Sequence, residues 1–223
     1  MNILQLLNCF DTNLFLLING FHSVFFDGFM YAISAKLTWI PLYIAILYVV
    51  IKRWKSKSFW IIIALVLCVV IADHISSGLI KNLVQRLRPS QTENLKDLVH
   101  LVRNSKGGGL YGFVSSHAAN TLGLALLSTL IFRKKSFAIA VFSWSALNGY
   151  SRVYLGAHYP FDVLGGFVVG SSTALLIYWL LKKIKPAILK PVNEPEKEIE
   201  TQIPEIVFGL TLISIVIYSI FIF

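Results

Sequence analysis

The stretch FWIIIALVLCVVIADHISSGLI, residues 59–80, is apolar throughout except for Asp73, His74 and two serines. A helix of about 20 mainly apolar residues crosses a bilayer, and this run is long enough by itself. Working outward from it, further apolar cores stand near 37–51, 114–132, 137–150, 161–181 and 204–223, which makes six. Hydrophobic residues form 56% of the 223-residue chain and charged residues 14%, with a mean hydropathy of +0.71. These values place the chain in the membrane class. The expected fold is therefore all-α: an integral membrane helical bundle of about six transmembrane helices.

The ends of the chain read differently. LFLLINGFHSVFFDGFMYAIS at 14–34 is interrupted by Asn19, Gly20, His22 and Asp27, so residues 1–35 read as an interfacial or partly spanning helix. Residues 36–182 form the expected core bundle, 183–203 a linker and 204–223 a C-terminal span. Between Lys185 and Glu205 lie four of the seven prolines and five of the eleven acids, as in a solvated linker. The N-terminus shows neither a basic region nor a small-residue cleavage site, so no cleaved leader is expected.

The formal charge of +9 comes from short clusters between apolar runs and not from one basic face, which argues against a nucleic-acid partner. Cys9 and Cys68 offer no disulfide framework and no metal spacing, and read as small hydrophobes. Lys52–Lys57, Arg133–Lys135 and Lys182–Lys190 alternate with the remaining connections, so all three can share one face. The positive-inside tendency makes that face cytoplasmic. The connection 81–113 and the turn near 151–160 then lie outside, although the former is itself basic, with Lys81, Arg86, Arg88, Lys96, Arg103 and Lys106.

Three short motifs fall on that outer face. In KNLVQRLRP, 81–89, a continuing helix would set Lys81, Gln85 and Arg88 at i, i+4 and i+7 on one side until Pro89 ended it. Arginine presents a planar fork to an oxyanion and lysine a point charge. In GFVSSHAAN, 112–120, Ser115 or Ser116 can cap the next helix, whose free N–H groups form an anion site with His117 in the first turn. In SRVYLGAHYPFD, 151–162, Arg152 closes one span and His158 precedes Pro160, a residue suited to a helix start. Asp162 is close enough in sequence to hydrogen-bond the His158 imidazole and set its tautomer. Asp73 precedes Ser77 and Lys81 at four-residue steps and could brace Lys81 or touch substrate. Cations, a helix N-terminus and two histidines on one face suit phosphoryl transfer without a metal, and no carboxylate cluster points to one.

K-x6-R-P at 81–89, S-S-H at 115–117 and S-R-x5-H-x3-D at 151–162 resemble, in order and spacing, the three signature motifs of the type 2 phosphatidic acid phosphatase family. The resemblance spans about residues 36–182. It implies that Lys81, Arg88 and Arg152 hold phosphate while Ser115 and the Ser116 backbone donate hydrogen bonds. It further implies that His117 protonates the leaving group and that His158, oriented by Asp162, becomes a phosphohistidine. The family's usual second motif is P-S-G-H, whereas Val114 and Ser116 stand here at its proline and glycine positions.

The expectation is a lipid phosphatase of the bacterial inner membrane, facing the periplasm and requiring no cofactor. Membrane lipids would be its partners. Its substrate would be undecaprenyl diphosphate, lipid A, phosphatidylglycerophosphate or phosphatidic acid. A non-catalytic lipid-phosphate binder or transporter and a vanadate-dependent haloperoxidase are the alternatives.

Overall fold

The computed structural model describes residues 2–104, 109–189 and 198–221. Among them the fold is all-α, and the β structure is one isolated bridge, Leu87 to Tyr111. The helices are α1 (Ile3–Gly20), α2 (Val24–Ser34), α3 (Ile40–Trp54), α4 (Ser58–Asp73), α5 (Lys81–Val84), α6 (Ser116–Phe132), α7 (Lys135–Tyr154), α8 (Pro160–Ile184) and α9 (Glu198–Phe221). The isoleucine- and valine-rich α4 would favour a strand in water. In hydrocarbon no water can satisfy the backbone, so the segment bonds to itself as a helix.

Among the described residues three stretches are long and apolar enough to cross a membrane: Lys36–Val84, Pro160–Ile184 and Gln202–Phe221. The first has 49 residues and would measure roughly 74 Å if straight, more than twice the thickness of a hydrocarbon core. It instead reverses at Lys55, whose φ is 48°, and α3 packs against α4. It therefore supplies two passages. α6 has only 17 residues and is the central helix, packed on α8, α7 and α4. Being wrapped in protein, it tolerates Thr121 and Ser128, whose hydroxyls donate back to carbonyls of their own helix. α1 and α2 meet at 115°, the geometry of a broken or re-entrant segment.

Glycine allows α6 and α8 to touch backbone to backbone. A Cβ on Gly166 would lie 2.3 Å from the Ser115 carbonyl oxygen, and one on Gly170 would lie 2.2 Å from that of Ala119. Close approach through small residues is how helices associate where lipid removes the hydrophobic drive. Gly170→Ala should therefore force the two backbones apart and cost about 1–3 kcal/mol. The check is a lower thermal midpoint in detergent; an unchanged midpoint would show that the contact is dispensable.

Three expectations are corrected. The helix after Asp73 does not stay in α register: His74–Ile80 is a π-helix, so Asp73, Ser77 and Lys81 do not stack at four-residue steps. Nor does the helix run on to Pro89. It stops at Val84 and Gln85 adopts the left-handed conformation with φ 52°, which removes Arg88 from the Lys81 face and delivers it by an extended segment. The linker is also shorter than 183–203 at both ends, since α8 continues to Ile184 and α9 begins at Glu198. Its middle, residues 190–197, lies outside the described residues, as do residues 105–108 of the glycine-rich loop.

The basic turns gather at one end of the bundle. Arg53 donates to the Phe132 carbonyl at 3.1 Å, Trp54 to the Ile188 carbonyl at 3.1 Å, and Lys134 pairs with Glu205 at 2.9 Å. The three motifs occupy the other end.

Candidate active site

The start of α8 sets the position of His158. Pro160 occupies its first turn, and Tyr159 is the N-cap residue. Asp162, in that first turn, reaches back to accept the Tyr159 N–H at 3.0 Å. His158 stands immediately before the cap and is 2% exposed. Its Nε2 lies 3.2 Å from Arg88 Nη1. A guanidinium can only donate, so Nε2 carries the lone pair and the proton sits on Nδ1, facing Asp162. Burial above all, and then the charges of Arg88, Arg152 and Lys81, hold this imidazole well below its ordinary pKa. It is thus neutral at pH 7, as a nucleophile must be.

The hydrogen bond foreseen between His158 and Asp162 is not closed. Nδ1 stands 3.5 Å from Asp162 Oδ2, beyond hydrogen-bond range. The cause is competition: that oxygen also caps α8, while Oδ1 accepts from Arg86 Nη1 at 2.9 Å. Gly112 admits the carboxylate, since a Cβ there would sit 2.7 Å from Oδ2.

The second motif arrives on α6. Ser115, not Ser116, is the N-cap, with its hydroxyl accepting from the Ala118 N–H. The Ser115 N–H donates to the Asp162 carbonyl at 2.8 Å, tying the α6 start to the α8 start. His117 and Ser116 line a cavity of about 510 Å³ between α3, α4 and α6. Its walls are apolar, with Tyr43, Ile46, Leu65 and Val69 among them, and Lys36, Asp73 and Asn120 line it as well. Such a space suits the lipid part of a substrate whose polar end meets His117.

Arg88 is anchored by two carbonyls, of Gly109 at 2.6 Å and Ala157 at 2.9 Å. Arg152, in the last turn of α7, donates from Nη1 to the Ser34 hydroxyl, and its buried Nε has no hydrogen-bond partner. Lys81 opens α5 and its charge reaches His158. Asp73 accepts from Asn120 Nδ2 at 3.0 Å, so its hydrogen bond goes to α6, while its charge still acts on Lys81. Every residue singled out from the sequence thus stands at one end of the bundle. Among the described residues no group of three or more His, Cys, Asp or Glu side chains could hold a metal ion.

Two residues went unforeseen. Arg86 had counted only as a loop charge, and Asp11 had not been considered, yet Arg86 bridges Asp11 and Asp162. A lone acid in an otherwise apolar helix was the available signal for Asp11.

The family model described as the PAP2 superfamily matches residues 57–186, a stretch that contains all three motifs. The chain belongs to the PAP2 superfamily. This PAP2 protein is 38% identical to a lipid A 4'-phosphatase of Bacteroides thetaiotaomicron over 98% of its length and 99% of that protein. It is 38% identical to a lipid A 4'-phosphatase of Porphyromonas gingivalis over 75% of its length and 71% of that protein. An undecaprenyl-diphosphatase of Sulfolobus acidocaldarius is 27% identical over 75% of the chain and 76% of that protein. No solved structure matches.

Proposed function

We propose that this PAP2 lipid phosphatase removes the 4'-phosphate of lipid A at the periplasmic face of the inner membrane, through a phosphohistidine on His158. The observation that carries the substrate is the end-to-end likeness to the Bacteroides lipid A 4'-phosphatase, which takes in α1 and α2 as well as the motif region. The apolar cavity beside His117 is compatible with a substrate of many acyl chains.

In this reading Lys81, Arg88 and Arg152 surround the phosphate, and the Ser115 hydroxyl and the Ser116 N–H at the α6 start donate to it. His117 takes up a proton when the phosphate brings its negative charge among the cations; the neutral Nε2 of His158 then attacks phosphorus, the bond from phosphorus to the sugar oxygen breaks, and His117 delivers that proton to the oxygen. Water then attacks the phosphohistidine, His117 takes its proton, and inorganic phosphate leaves with His158 restored. Asp162 stabilises the positive imidazole during both steps. A mere binder or transporter would have no use for a neutral, buried nucleophile beside an acid.

The test is phosphate release from purified protein given bisphosphorylated lipid A, with mass spectrometry of the product. The expected product keeps the 1-phosphate and has lost the 4'-phosphate. Hydrolysis of undecaprenyl diphosphate with lipid A left intact would overturn the substrate.

Sidedness has its own test. Cys9 is exposed, so the background is Cys9→Ser. In it, Asp97→Cys should react with an impermeant thiol reagent added from the periplasm, and Lys57→Cys should not. The opposite pattern would put the site in the cytoplasm.

A further inference from the structure

We infer that Asp11 and Arg86 are positioning residues for the His158–Asp162 pair, and that α1 thereby belongs to the catalytic apparatus. The inference rests on the phosphatase reading and deepens it. Arg86 uses both arms of its fork: Nη1 donates to Asp162 Oδ1 at 2.9 Å and Nη2 to Asp11 Oδ2 at 2.7 Å. Its guanidinium carbon lies 4.1 Å from the centre of the Tyr159 ring. Asp11 uses its other oxygen to accept the Phe161 N–H at 2.9 Å. Both carboxylates are fully buried, whereas the Arg86 side chain is 20% exposed.

The consequence for Asp162 is geometric and electrostatic. Its Oδ1 is taken by Arg86 and its Oδ2 by the Tyr159 N–H, so the carboxylate cannot rotate, and Oδ2 is the oxygen left facing His158 Nδ1. Asp11 holds Arg86 from the opposite side and shares its charge, which keeps Arg86 from neutralising Asp162 outright. A buried charge left unpaired is costly, so the two acids and one base stand or fall together. The anchor lies on α1, outside the stretch 57–186 matched by the family model.

The charged and titratable groups around the pair are Lys81 from α5, Arg86 and Arg88 from the segment after it, Arg152 from α7, Tyr159 at the α8 cap and Asp11 from α1. His117 faces them from α6 and is counted with these groups. Removing a positive charge beside the pair makes a proton easier to add, and removing a negative one makes it harder. Arg86→Gln should therefore shift the acid limb of kcat/KM to higher pH, and Asp11→Asn should shift it to lower pH, each by roughly 1 unit. Both should lower kcat by about 10- to 100-fold with little change in KM, as loss of an orienting partner does elsewhere. Arg86→Lys keeps the charge but not the fork, so it should restore the limb without restoring kcat.

The experiment measures pH–rate profiles of the full chain in detergent with p-nitrophenyl phosphate, whose hydrolysis does not depend on the native lipid. Failure on lipid A alone would thus remove the substrate reading and leave this test intact. Phe137→Leu, in the core at the basic end, is the control for instability: a lower thermal midpoint with an unmoved acid limb. Opposite limb shifts in Asp11→Asn and Arg86→Gln support the inference. Limbs that stay in place, or move together as the midpoint falls, overturn it. Should both variants fail to fold, Asp11→Glu and Arg86→Lys are compared instead, and wild-type kcat in both would overturn it.

Discussion

Replacing His158 with alanine should abolish turnover, a loss on the order of 10⁴- to 10⁶-fold by comparison with other covalent catalysts. It should also leave no acid-labile phosphoenzyme. The expectation rests on the imidazole whose Nε2 is unprotonated and 3.2 Å from Arg88, and on the burial and neighbouring cations that hold it neutral. The variant should fold, because Asp162 keeps its bonds to Arg86 and the Tyr159 N–H. Rapid quench with labelled substrate reads both quantities. Near-normal turnover in this variant would remove His158 as the nucleophile even with the phosphatase activity intact.

His117→Ala should separate substrates by leaving group. His117 stands in the first turn of α6 and lines the apolar cavity, and in the proposed mechanism it protonates the departing oxygen. A sugar alkoxide needs that proton, and its loss should reduce kcat by about 10²- to 10⁴-fold. An aryl oxide or a phosphate leaves without help, so p-nitrophenyl phosphate should be cleaved far less impaired. The phosphohistidine should accumulate, because the same group activates water in the second step. Equal losses on both substrate types would assign His117 to phosphate binding instead.

The span boundaries and the three motifs were legible because each has a local cause. Apolar length marks the helices, Pro160 marks the start of α8, and a serine at 115 or 116 marks the start of α6. What the sequence left hidden depends on partners distant along the chain. Asp11 meets Arg86 across 75 residues, and neither carries a pattern that names the other. The π-helical turn at His74–Ile80 has no proline or glycine pair to announce it. It changes the face on which Lys81 emerges, which is why the four-residue stepping from Asp73 misled. The helical spacing that set Arg88 beside Lys81 is not present, since Gln85 ends the helix and the side chain arrives from a loop. The wide gap between Asp162 and His158 was likewise invisible, because capping claims the same carboxylate oxygen.

The glycine seam between α6 and α8 carries a consequence for how such proteins diversify. With Gly166 and Gly170 letting the two backbones meet, and the Ser115 N–H bonded to the Asp162 carbonyl, the backbones that carry the two histidines are held to each other by main chain. The side chains of α3 and α4 that line the cavity, among them Tyr43, Leu47, Val66 and Val70, stand outside that seam. Re-lining that wall would therefore change which lipid fits while leaving the seam beneath the two histidines as it is.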